Sequence, residues 1–202
     1  MTATLEAPTK AVPQTLPEPE DIPRKLWTRA QYRRLIADGH LIDGKVELVN
    51  GEIWEKMGQG RRHTATVTWI IEALSKAFSL RRLQTQSSLP VSENGDPEPD
   101  VAVVKQDIDK YIDEEKLTPD QMLLVVEASD STLRADLTSK VRQYGSASIP
   151  EYWVVDIPNR LLHIFREPTA DGYASETILT TADEVRPLAA PDAIVCVAEL
   201  LP

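Results

Sequence analysis

Residues Leu123–Gly145 read LLVVEASDSTLRADLTSKVRQYG. The run Leu123 to Val126 is short, apolar and rich in β-branched side chains, so it predicts a buried strand. Glu127 ends the run, where a carboxylate is costly unless something pairs with it. Ser129, Asp130, Ser131 and Thr132 supply turn and N-cap chemistry, and a helix is expected to follow. In that helix Leu133, Leu137, Val141 and Tyr144 share one stripe at 3.6-residue spacing. Gly145 is placed to end it as a C′ residue. Lys140 falls about 60° from the centre of the stripe at roughly 100° per residue, so its ammonium can reach back over the sheet end. A strand that delivers a carboxylate and a helix that returns a lysine are together able to hold a metal.

Composition narrows the class of protein. At 202 residues the chain is long enough for one domain with a real core, and two would be tight. Its 42% hydrophobic and 27% charged content is ordinary for a soluble globular protein. No apolar run approaches the roughly 20 residues of a membrane span. The start, MTATLEAPTK, lacks the basic end and apolar core of a signal peptide. A cytoplasmic protein with no membrane partner is therefore expected. The single cysteine, Cys196, excludes an internal disulfide and a multi-cysteine zinc site, and His40, His63 and His163 are scattered. A net charge of −10 argues against a generic nucleic-acid coat. It leaves room for an enzyme that meets phosphates through metal ions and a local basic patch.

Upstream of the central stretch, residues 1–25 carry Pro8, Pro13, Pro17, Pro19 and Pro23 and almost no large apolar side chain. They read as a disordered arm, and residues 26–202 as the folded domain. Trp27, Tyr32, Leu35 and Ile36 predict a short amphipathic helix closed by Gly39. Val46, Leu48 and Ile53 flank Asn50-Gly51, a strong hairpin signal. Gly58 to Arg62 reads as a loop and His63–Leu80 as a helix burying Val67, Ile70, Ile71, Leu74 and Phe78, with Arg81-Arg82 at its C-terminus. Residues 83–91 can form a strand, residues 92–97 a turn, and Pro99-Asp100 leads into the apolar run Val101 to Val104. Residues 105–120 read as a charged surface connection with one helical turn. Downstream, Glu151 to Asp156 and Leu161 to Phe165 read as strands joined at Pro158-Asn159. Tyr173 to Leu179 reads as an edge strand and Ala193 to Leu201 as a final apolar segment. This order predicts an α/β fold, a mixed sheet covered by helices on its faces.

Four charged residues stand at strand ends or beside the sheet: Glu47, Asp100, Glu127 and Lys140. Phosphodiester hydrolysis needs a cation to neutralise the phosphate and to lower the pKa of an attacking water. Mg²⁺ suits such a site because it takes one or two carboxylates and keeps several waters. Glu127 and Ser129 lie on one strand face, so the third place of an E-x-K triplet holds serine and the lysine must come from elsewhere, with Lys140 the natural source. Each residue also has a plainer reading. Asp100 after proline suits a turn, Glu47 between Val46 and Leu48 suits a solvated outer face, and Lys140 can snorkel or pair with Asp136 at i, i+4. His63 behind Arg61 and Arg62 suits a solvated helix start. The alternative is that Arg61, Arg62 and His63 meet a nucleic-acid backbone, since helix N-termini attract phosphate. Tyr152 and Trp153 read as core.

VELVNGEI, His63 opening a helix, PDVAVV, VVEASDST, D-x-x-x-K-x-x-x-Y at Asp136, Lys140 and Tyr144, and EYWVVD follow one another in this order. The series resembles the Uma family of putative restriction endonucleases, within the PD-(D/E)xK nuclease-like superfamily, over residues 26 to 200. The resemblance implies a restriction endonuclease-like mixed β-sheet flanked by helices with an Mg²⁺ site at one end, Mn²⁺ serving as a substitute. It implies that Asp100 and Glu127 are the metal acids, that Glu47 is the acid of the first hairpin, and that the lysine has moved from the strand to the helix as Lys140. Val46 stands where the family usually has tyrosine and Ala128 where it has valine, both packing changes. A DNA endonuclease is the leading expectation, with a homodimer by analogy. The rival is a catalytically silent binding or scaffold module that keeps the fold.

Overall fold

The computed structural model describes residues 24–56, 60–114 and 116–202. The proline-rich arm expected over residues 1–25 falls outside the described residues except for its last two positions.

Helix α1 (Arg29–Ala37) opens with a capping box between Thr28 and Gln31. Its Tyr32 is fully buried, and the phenol donates to the Val46 carbonyl at 2.9 Å. That bond docks α1 on the hairpin of β1 (Val46–Val49) and β2 (Glu52–Glu55). Asn50 and Gly51 take positive φ between the two strands, as the tight turn requires. Helix α2 (Arg61–Ser75) follows. It starts earlier and ends sooner than the expected 63–80, so Arg61 and Arg62 open the helix. Arg81 and Arg82 lie in a later 3₁₀ turn, Leu80–Arg82.

The main sheet runs in the order β3 (Leu83–Gln84), β4 (Val101–Val104), β5 (Met122–Ser129), β6 (Glu151–Asp156), β7 (Leu161–Thr169), β8 (Gly172–Thr180). Only β5 and β6 pair in parallel, so the sheet is mixed as expected. A parallel pair needs a crossover between its strands. Residues 130–150 supply it as α3 (Leu133–Ala135), a π-turn (Asp136–Lys140) and α4 (Val141–Ser146). β9 (Glu184–Val185) and β10 (Val195–Cys196) form a separate small pair. Pleat alternation builds two cores. Val101, Val103, Leu124, Val126 and Trp153 face α2 and the C-terminal segment, while Ala102, Val104, Val125, Tyr152 and Val154 face α4.

Several local expectations are corrected. The strand expected over 83–91 is two residues long, because Gln86 takes positive φ and the facing residues Pro97 and Pro99 have no N–H to give a ladder. Where one helical turn was expected over residues 105–120, the described residues show 3₁₀ turns at Ile108–Lys110 and at Pro119–Gln121. β5 runs on to Ser129, so Glu127 sits inside the strand and not at its end. Gly145 lies within α4, not after it. A Cβ there would overlap the backbone of Gly172, so the glycine serves a close helix–strand approach.

Candidate active site

Antiparallel pairing of β4 with β5 sets Val101 opposite Val126. The next step of that register brings Asp100 beside Glu127. The Asp100 N–H donates to Glu127 Oε2 at 3.4 Å, and Asp100 Oδ2 accepts from the Ala128 N–H at 2.9 Å. Both acids point to the face covered by the crossover, as Ala102 and Val125 do.

The crossover returns Lys140 onto this pair. Its Nζ lies 2.9 Å from Glu127 Oε1, 3.3 Å from Glu47 Oε1 and 3.6 Å from Asp136 Oδ1. Tyr144 donates its hydroxyl to Glu127 Oε1 at 2.9 Å. The π-turn places Asp136 and Lys140 together on the sheet side, and π-bulges of this kind recur at functional sites. Ser129 and Thr132 donate to Asp136 Oδ2 at 2.8 and 2.6 Å. Glu47 comes in from the hairpin, which is pinned on the crossover. Asn50 Nδ2 donates to the Ser139 carbonyl, and Gln143 Nε2 donates to that of Leu48. The solvated outer face read for Glu47 does not form, because this face of the hairpin covers the sheet end and Glu47 is only 7% exposed. Glu127, Asp136 and Lys140 are buried as well.

Burial sets the electrostatics. Desolvation opposes the Lys140 charge, but Glu127, Glu47 and Asp136 outweigh it and hold the ammonium well above its ordinary value. Desolvation, helped by Asp100, Asp136 and Glu47, holds the Glu127 carboxyl well above its ordinary value, and Lys140 offsets only part of this. Burial, then Glu127 itself, keeps Tyr144 a neutral donor.

His63 stands in the first turn of α2 and does not point to solvent. Its Nδ1 lies 2.8 Å from the Ala128 carbonyl, which can only accept, so this nitrogen carries the proton. Its Nε2 is 3.1 Å from Asp100 Oδ1, close enough for charge attraction but poorly aligned for a hydrogen bond. Asp100 raises the imidazole above its ordinary value against the effect of burial. Arg61 and Arg62 stay exposed and do not line the site.

A cavity of about 120 Å³ opens over these groups. The buried Asp100, Glu127 and Lys140 form its floor, and Glu47 and Trp54 of the hairpin and the turn that opens the crossover, with Asp130, complete its lining. Lys56 and Glu98 pair at 2.6 Å on its rim. Sequence reading brought Glu47, Asp100, Glu127, Lys140 and His63 into view. It gave no site role to Asp136, Tyr144 or Trp54. For Asp136 and Tyr144 the signal was their spacing of four from Lys140. Among the described residues, no group of three or more His, Cys, Asp and Glu side chains is spaced to hold a metal ion.

Known proteins agree with this architecture. A solved structure, described as a putative nuclease belonging to DUF820 from Anabaena variabilis ATCC 29413, is similar with a TM-score of 0.65. The likeness covers 86% of this chain and 96% of that one at 13% identity, and at that identity it shows a shared fold. No curated protein sequence matches the chain. The sequence pattern of the Uma2 family, described as "Putative restriction endonuclease", matches residues 29–198. The chain therefore belongs to the Uma2 family.

Proposed function

We propose that the protein is a metal-dependent endonuclease that hydrolyses phosphodiester bonds in DNA, with Asp100 and Glu127 as metal ligands and Glu47 and Lys140 completing the catalytic set. The observation that carries this reading is the convergence of Asp100, Glu127 and Lys140 on the floor of one cavity. The donor atoms are all carboxylate oxygens, which suits a hard cation. Two acids are fewer than a full protein cage needs, and Mg²⁺ is the ion that accepts two carboxylates and fills its remaining positions with water. Mn²⁺ would substitute. The ion would supply charge neutralisation at the phosphate and a more acidic bound water.

The chain's own groups do the rest. Lys140 is a fully charged donor that gives one N–H to Glu127 and can give another to a phosphate oxygen or to the attacking water. Glu47 restrains the ammonium from the opposite side and accepts a hydrogen bond from the water. Tyr144 and Asp136 hold Glu127 and Lys140 in place. Arg61, Arg62 and His63 flank the opening of α2, where a phosphate backbone is favoured by the helix N-terminus. Cutting both strands of a duplex takes two such sites, and the homodimer belongs to that form of the reading.

One observation favours a silent binding module instead. Lys140 is already satisfied by three carboxylates in a chain of net charge −10. Cleavage of plasmid and single-stranded DNA in Mg²⁺ or Mn²⁺ discriminates the two. The nuclease reading expects metal-dependent nicking that Asp100→Ala and Glu127→Ala both abolish while their circular dichroism spectra stay native. No cleavage, together with no rise in melting temperature on adding either ion, selects the binding module.

A further inference from the structure

We infer that the cavity seats one unpaired nucleobase against Trp54, which makes single-stranded or locally unpaired nucleic acid the substrate class. The inference rests on the nuclease reading of the same site. Trp54 pairs across the hairpin with Glu47, so the two side chains share a face with their Cβ atoms about 5 Å apart. Alternation sends the neighbouring Ile53 the other way, into the cluster of Tyr32 and Leu48, and turns Trp54 into the cavity wall. The indole is half-buried. It belongs to none of the three apolar clusters and stacks on no other aromatic ring among the described residues. Its Nε1 donates to Glu52 Oε2 at 3.3 Å, a bond at the ring edge that does not use the faces. Small side chains, Ser131, Thr132 and Ala135, line the same cavity. A flat group therefore meets, in one cavity, an indole with no aromatic partner among the described residues and small side chains that leave room beside it.

Size and charge narrow the ligand. The cavity holds about 120 Å³, and an apolar cavity of roughly 150 Å³ takes one benzene ring. That space excludes a base pair and admits at most one ring, entering from the open mouth above the acids. The walls also carry Glu47, Glu55 and Glu98 against Lys56, which weakens any grip on the phosphate backbone by charge alone. Stacking on an aromatic face supplies affinity that does not depend on that charge and that every base can provide. Glu47, the cross-strand partner of Trp54, lies 3.3 Å from the Lys140 ammonium, so the phosphate of such a base would be directed toward that cation.

The test is equilibrium binding in EDTA, where no cleavage occurs, of a fluorescein-labelled single strand and of the same sequence as a duplex. Wild type is expected to prefer the single strand. Trp54→Ala is expected to weaken it about tenfold and Trp54→Phe less than about threefold, with duplex binding unchanged. The single strand should quench tryptophan emission in wild type and not in Trp54→Ala. Equal affinity of wild type and Trp54→Ala, or a preference for duplex, overturns the base subsite. The two readings fail separately. Cleavage that survives Trp54→Ala unchanged removes the base and keeps the nuclease. A Trp54-dependent single-strand signal from a protein that never cuts keeps the base and removes the nuclease.

Discussion

Lys140 has carboxylates on three sides, at 2.9 Å (Glu127), 3.3 Å (Glu47) and 3.6 Å (Asp136), and water on almost none. A pair this buried is not in itself a source of stability, because desolving both partners offsets their attraction. Removing one partner is different, since it leaves the others charged and unmatched. Lys140→Met is therefore expected to destabilise the fold by about 3 kcal/mol in urea unfolding at neutral pH. Adding Glu127→Gln to that variant should restore part of the loss, as groups in one network couple by about 0.5–3 kcal/mol. If the double variant falls by the plain sum of the two single losses, the cluster is not a coupled unit. Cleavage should vanish in Lys140→Met in either case, because the ammonium is the one fixed cation on the cavity floor.

At the scale of elements, the crossover from β5 to β6 does most of the positioning. Its two halves are short helices joined by the π-turn that carries Asp136 and Lys140. The second half lies so close to β8 that Gly145 meets Gly172 backbone to backbone. Gly145→Ala puts the two effects of one methyl in opposition. Alanine in a free helix gains about 1 kcal/mol over glycine. Overpacking against a backbone that cannot move aside costs about 1–3 kcal/mol. The contact is with main chain, so the loss wins, and a lowered urea midpoint is expected where helix propensity alone predicts a raised one. The sequence carried the strand, the helical stripe and the lysine of this unit, because apolar periodicity follows from burial. It did not carry the π-turn, which depends on how Asp136 and the carbonyl that Tyr152 caps at 3.1 Å are satisfied in three dimensions. Nor did it carry the burial of Glu47. Alternation along β1 tells two faces apart, but only the docking of Asn50 on Ser139 decides that both are covered.

For the whole molecule, the proposed function asks a chain of net charge −10 to bind a polyanion. In the nuclease reading, the exposed Arg61 and Arg62 at the start of α2 would be the local answer to that conflict. If both meet phosphates of a single strand, Arg61→Ala/Arg62→Ala should make the slope of log affinity against log salt shallower by about 1.4. An unchanged slope would remove them from the interface. The far end of α2 serves a different purpose. There Leu200, fully buried, packs with Ile70 and Leu74, and Glu199 pairs with Lys76 at 2.8 Å. Lys76 is thirteen residues beyond His63, about 20 Å along the axis at 1.5 Å per residue. Sites that far apart with no shared partner contribute independently. Leu200→Ala should then cost about 3 kcal/mol in unfolding and leave the rise in melting temperature on adding Mg²⁺ as in wild type. A loss of that metal response would mean that α2 transmits strain along its length, so that the seating of His63 on Asp100 depends on the C-terminal segment.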